Sequence, residues 1–309
     1  MKSRYFLWLA ISLALHACQS NHSPIEPHTP VAEQDLPLQD IVEHLVSDSP
    51  ADIGVAIIGP DHDTVMIHGN KPYKMQSVAK FPQALKLLKL VDEGKYPADY
   101  HLKVTDRDIK QRTYSTLLKD HPDVPFELTI REALEYSVGQ SDNVTSNMIF
   151  DLDGGPQEVE SFVHGLGIRD MGINVDYWHL NDSTAYYNWS TPLAMARLLD
   201  LYDQGKILSP ENHQMLWQVM ANGPSGKNRL RGKLPEDVVV AHKTGTGNTD
   251  DNTGRIMALN DVGIIELPDH RHIVIAVFVS DSFAGEEATA SLIADIGQAA
   301  YDYYLKKKQ

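Results

Sequence analysis

Ser77 and Lys80, three residues apart in the stretch Met75-Gln76-Ser77-Val78-Ala79-Lys80-Phe81-Pro82, pair a nucleophile with a base. At the start of a helix, residues three apart share a face, so the lysine amine reaches the serine hydroxyl. The helix dipole adds a positive field there. A serine is a weak nucleophile until a neighbour takes its proton, and a lysine of lowered pKa does that. Two further groups have chemistry that fits the same task. Ser141-Asp142-Asn143 falls between two helical stretches, in a loop suited to presenting a hydroxyl and an amide. Lys243-Thr244-Gly245-Thr246-Gly247 follows an apolar run at 238–241, at the end of an expected strand. There an amine and two hydroxyls hold a carboxylate, and the glycines let a substrate lie against the strand edge. Each group alone is a common cap or turn; all three in this order and setting are specific.

The elements that must position these groups are legible from periodicity. Apolar residues at 38, 41, 42, 45 and 46 give a helical face. Residues 53–58 and 64–68 flank Gly59-Pro60-Asp61-His62 and read as a β-hairpin. Further strands are expected at 238–241, 255–259, 263–267 and 273–279, then a helix over 286–305. Between the two strand-rich ends the pattern is helical, at 83–91, 129–138, 143–152, 156–165, 191–203 and 211–220. Segregated strands and helices predict an α+β fold. One antiparallel sheet from 38–76 and 217–309, flanked by the terminal helices, carries an inserted all-helical domain over 77–216. A cleft between two such lobes is a natural ligand site.

The three motifs, in this order, resemble those of class A serine β-lactamases and the related penicillin-binding proteins. Residues 73–88, 140–147, Gly154-Gly155-Pro156 and Asp261-Val262-Gly263-Ile264 extend the resemblance over residues 37–305, and the MQSVAKFP and HKTGTG wording is similar to an extended-spectrum branch. The resemblance implies a transpeptidase-like fold, a β-lactam substrate, and an acyl-enzyme on Ser77 with Lys80 as its proton partner. It implies that Ser141 relays a proton to the departing ring nitrogen and that Asn143 binds the substrate amide. Lys243, Thr244 and Thr246 are expected to hold the β-lactam carboxylate, with Gly245 also among the expected substrate-binding residues. The oxyanion hole is expected from the N–H of Ser77 and of Gly247 or its neighbour. Arg229 stands where some members keep a second cation, or is a solvated loop arginine.

One position departs from the pattern. Class A enzymes hydrolyse the acyl-enzyme with a loop glutamate four residues before an asparagine. Ungapped counting from Ser141 sets that asparagine at Asn181 and the glutamate position at Tyr177, and no glutamate occurs from 163 to 210. A phenol, with a pKa of about 10, is a poor general base at neutral pH. Asp176 is the expected substitute, one methylene shorter and one residue offset; the alternative is fast acylation with slow deacylation.

Composition sets outer limits. A net charge of −15 argues against a nucleic-acid partner. The 14 histidines show no zinc-type spacing, so neither metal nor cofactor is expected. Lys2 and Arg4 precede an apolar run at 5–15 that ends at Cys18, the chain's single cysteine. That run is a secretory signal, too short to span a bilayer. Cys18 sits where a lipid anchor is attached, and 19–37 reads as a flexible tether. The whole predicts a monomeric periplasmic β-lactamase. A D,D-peptidase sharing Ser77, Lys80, Ser141 and Lys243, or a non-hydrolysing β-lactam sensor, is the rival reading.

Overall fold

The computed structural model describes residues 36–97, 99–110, 113–123 and 125–307. The lipidation signal ending at Cys18 and nearly all of the expected tether lie outside these residues. From Pro37 onward the chain forms one compact unit.

It opens with helix α1 (Leu38–Ser47), the hairpin β1 (Asp52–Ile58) and β2 (Thr64–Ile67), and a short β3 (Tyr73–Lys74). A 3-10 turn, Gln76–Ala79, runs directly into α2 (Lys80–Asp92). Next come β4 (His101–Val104), the one-turn helices α3 (Asp106–Ile109) and α4 (Leu117–Asp120), β5 (Phe126–Thr129) and α5 (Ile130–Leu134). A π turn over Glu135–Gly139 then delivers the chain to Ser141. Helices α6 (Asn143–Asp153) and α7 (Pro156–Gly165) follow, then β6 (Met171–Ile173), β7 (Asn188–Ser190), α8 (Pro192–Asp203) and α9 (Pro210–Asn222). The chain closes with β8 (Val240–Thr246), β9 (Ile256–Glu266), β10 (His272–Ser282) and α10 (Glu286–Lys306).

The main sheet has the order β2-β1-β10-β9-β8, with every pairing antiparallel. Both faces are covered, which explains strands that read as continuous apolar runs. On β1, Val55 and Ile57 join the core under α1 and α10, while Ala56 and Ile58 join the core shared with the other helices. Strand β10 alternates likewise, Ile275 and Val277 one way, Ala276 and Phe278 the other. Burying a Val or Ile side chain stabilises by about 1.5–3 kcal/mol, so two faces hold the sheet rigid.

The α+β expectation therefore holds, with two differences. The expected strands at 255–259 and 263–267 are one strand, β9. The polar pair Asn260-Asp261 looks like a break, yet both side chains are fully buried and hydrogen-bonded. The second difference is a pair of small sheets, β3-β7-β6 and β4-β5, among the helices. Strands of two to four residues carry too little periodicity to announce themselves. At the outer edge of the main sheet, the Gln39 amide on α1 grips Met66 of β2, donating to its carbonyl at 3.0 Å and accepting from its N–H at 3.2 Å.

Candidate active site

Ser77 sits on the turn before α2, and its surroundings fix that turn from behind. Gln76 has a left-handed φ of 51°, unusual for a residue with a side chain. Asn260 stabilises the approach, its amide donating to the carbonyls of Lys74 at 2.8 Å and Met75 at 3.3 Å. Across the turn lies the free edge of β8. Gly245 is required there, because a Cβ would run into the Met75 carbonyl oxygen.

Lys80 opens α2 and is fully buried. Its Nζ lies 3.3 Å from Ser77 Oγ and donates to the Ser141 carbonyl at 2.6 Å and to Asn143 Oδ1 at 2.7 Å. Burial holds the amine well below the usual lysine range; Lys243 pushes the same way and Asp142 opposes.

Ser141 also has a left-handed backbone, φ 64°. That conformation points its carbonyl at Lys80 while its hydroxyl accepts from Lys243 Nζ at 3.0 Å. Asp142 anchors the loop. It caps α6 through Thr145 N–H at 2.8 Å, and its other oxygen accepts from Ser115 Oγ at 2.6 Å and Leu117 N–H at 2.9 Å. The Asn143 amide nitrogen donates to Thr113 Oγ1 at 2.8 Å.

Lys243 is buried on β8 and pushed down to about 7. Burial is the main cause; Asp261 raises the value and Arg229 lowers it. Asp261 is gripped by His242 Nδ1 at 2.8 Å and by Leu230 N–H at 3.1 Å. Arg229 is no solvated loop arginine. It is buried, and it donates to Thr246 Oγ1 at 2.6 Å, Asn260 O at 2.8 Å and Gly245 O at 3.2 Å. Thr244 is buried with its methyl turned towards Gly226, while Thr246 is exposed. Gly247 N–H donates to Ala258 O at 2.8 Å, so it is spent in the sheet. Because successive N–H groups in a strand point to opposite edges, the Thr246 N–H faces the open side.

Ser77, Lys80, Ser141, Asn143 and Lys243 are thus linked by direct hydrogen bonds, and Arg229 and Thr246 form a second pair on the same strand edge. Asp176 and Asn181 are not brought to this cluster. The Asp176 carboxylate accepts from His179 N–H at 2.9 Å and pairs with its ring at 2.6 Å. It lines a cavity with Arg107, Asp151 and Trp178, on a turn closed by His179 N–H donating to Asp176 O at 3.3 Å. Asn181 is exposed and folds onto its own turn, donating to His179 O and accepting from Ser183 N–H. Tyr177 is the residue that faces inward. Its N–H donates to Asn147 Oδ1 at 2.9 Å, its hydroxyl to Gln76 O at 3.4 Å, and Lys80 Nζ stands 4.3 Å from its ring centroid. Burial pushes the phenol up.

Asn147, Asn260, His242 and Asp261 were missed as functional positions. For Asn147 the signal was its place one turn beyond Asn143; for the others it was polar residues inside apolar strands. The neck of the loop is held by Asn188, buried, whose Oδ1 accepts from Asn174 and Val175 N–H and whose amide returns to Val175 O.

Residues 37–304 match the model of the β-lactamase enzyme family. The chain belongs to that family. Among its relatives, β-lactamase VEB-1 of Pseudomonas aeruginosa is 36% identical over 86% of this chain and 90% of its own. The extended-spectrum β-lactamase PER-1 of the same organism is 35% identical, over 87% and 88%. A β-lactamase structure from Chitinophaga pinensis superposes with a TM-score of 0.83 at 37% identity, covering 86% of this chain and all but 1% of the other (99%). The structure of the TLA-1 extended-spectrum β-lactamase gives 0.83 at 34% identity, over 87% and 98%. This member's class A motifs and extended-spectrum likeness agree with those matches.

Proposed function

We propose that the chain opens β-lactam rings through an ester on Ser77, as a class A serine β-lactamase. The observation that carries this reading is the unbroken run of contacts from Ser77 to Lys80, to Ser141, and on to Lys243, in a member of this family. Ser77 Oγ attacks the lactam carbonyl and gives its proton to Lys80. The carbonyl oxygen takes charge between the N–H groups of Ser77 and Thr246, and such a donor is worth about 3–4 kcal/mol in the transition state. The C–N bond breaks, and the ring nitrogen takes a proton through Ser141, refilled by Lys243. Lys243, Thr244, Gly245 and Thr246 form the carboxylate shelf along the strand edge. Arg229 holds Thr246 in place and adds positive charge behind it. Asn143, already engaged by Lys80 and Thr113, has one amide hydrogen left for a substrate carbonyl. Nitrocefin turnover by the wild type and its loss in Ser77→Ala is the test; turnover that survives the substitution overturns the assignment.

The N-terminal segment supports export, with the mature enzyme periplasmic and anchored by a lipid on Cys18. No helix among the described residues is long and apolar enough to cross a membrane. Metabolic labelling with a fatty acid, lost in Cys18→Ser, checks the anchor. The enzyme is read as a monomer, and sedimentation measures that directly.

A further inference from the structure

Hydrolysis needs more than acylation does: a water must reach the Ser77 ester, and a base must take its proton. Four carboxylates on the segments that carry the site and its neighbouring loop are each engaged by other groups. Asp142 is consumed by Thr145, Ser115 and Leu117, Asp261 by His242 and Leu230. Asp176 faces His179 and another cavity, and Asp182 accepts from Asn248 at 2.7 Å. The charged groups that act on Lys80 are Lys243 and Asp142.

Lys80 itself has a directional geometry. As a neutral amine it has two hydrogens and one lone pair. The hydrogens are committed to the Ser141 carbonyl and Asn143 Oδ1, which only accept, so the lone pair is left for the Ser77 hydroxyl. The remaining side of Nζ is covered by the Tyr177 ring, 4.3 Å to its centroid, itself buried and stacked on Phe150.

Resting on the function proposed above, we infer that Tyr177 is a positioning residue that makes this a one-way site: Lys80 is the single base, aimed at Ser77 Oγ, and the Tyr177 ring keeps water from it. Acylation proceeds as written above, with the Ser77 proton on Lys80 and a bond from Oγ to the acyl carbon. Hydrolysis then requires Lys80 to return that proton, through solvent, to Lys243, which gave one to the ring nitrogen. Water oxygen then bonds the acyl carbon as its proton passes to Lys80, and the Oγ–C bond breaks with Oγ reprotonated by Lys80. With no carboxylate among the described residues hydrogen-bonded to Ser77 or Lys80 and a ring over the amine, that second half is slow. The acyl-enzyme accumulates.

Stopped-flow mixing of the wild type with nitrocefin is expected to give a burst of one equivalent, followed by a steady rate about 10²-fold slower or more. Intact-mass measurement after benzylpenicillin is expected to show one lasting adduct that maps to Ser77. Tyr177→Ala admits water, so the adduct lifetime falls at least about tenfold. Solvent around Lys80 also raises its pKa, so the burst rate, which needs the neutral amine, rises with pH at a higher midpoint. A purely structural ring would leave that midpoint in place. Tyr177→Glu supplies a carboxylate and shortens the lifetime further; if it fails to fold, the wild-type burst still decides. Continuous turnover with neither burst nor adduct, or an adduct as durable in Tyr177→Ala, overturns the inference and leaves the proposed function standing. Neither turnover nor adduct overturns both.

Discussion

On the proposed reaction, Lys243 carries the pH dependence of substrate capture. Its ammonium has to meet a carboxylate, yet burial holds it at about 7, so the charge fades as pH rises. KM for benzylpenicillin is expected to climb between about pH 6 and pH 8, measured as initial rates across that range. Asp261 opposes the loss by raising Lys243. Replacing it, Asp261→Asn, lowers Lys243 further, and the KM rise begins at a more acid pH. An unmoved midpoint rejects Asp261 as the partner of that amine. At this scale the primary sequence exposes the reacting groups because their spacing is short and local. It hides Asp261 and His242, nineteen residues apart and joined only by the register of two strands. Asp176 misled for a related reason: sequence proximity to the expected base says nothing of which way a side chain faces, and here it faces His179.

Two elements hold the reacting groups at working distance, and each has a weak point that a substitution finds. The loop before α6 depends on Asp142. Removing it by Asp142→Ala deletes a helix cap, worth about 1–2 kcal/mol. It also orphans the donors of Ser115 and Leu117, at about 1–3 kcal/mol for a buried group. A loss near 3 kcal/mol is expected from urea midpoints, together with loss of the acylation burst. The meeting of β8 with the Ser77 turn depends on Gly245. A methyl in Gly245→Ala drives strand and turn apart, and displacements of that order cost about 10²-fold in rate while the fold survives. A thermal melt beside the burst rate separates the two effects. The long elements were legible because three or more turns, or a full apolar strand, repeat their period. Strands β3 to β7 were not, being too short for a pattern and stabilised by contacts from distant segments such as Met75 N–H on Asn188 O at 2.9 Å. The continuity of β9 was obscured because tertiary hydrogen bonds satisfy Asn260 and Asp261, and no local rule foretells that.

Over the whole molecule, a net charge of −15 surrounds a site whose cations are Lys243 and Arg229. An anionic β-lactam is repelled at long range and attracted within a few ångströms. Salt screens the first more than the second, since the Debye length is about 8 Å at physiological ionic strength. The acylation rate constant at low substrate is expected to rise modestly with added salt, and a steep fall indicates that the cationic site dominates at distance. The sheet raises a separate question of scale, because its two margins are the places where another polypeptide would add on. One margin, β8, is guarded by the Ser77 turn and admits only a small ring. The other is closed by Gln39, whose side-chain amide copies the donor and acceptor of a missing neighbour strand. Unplugging that mimic with Gln39→Ala leaves Met66 with a bare peptide unit at the rim, and light scattering on concentrated protein is where the resulting stickiness would first be seen.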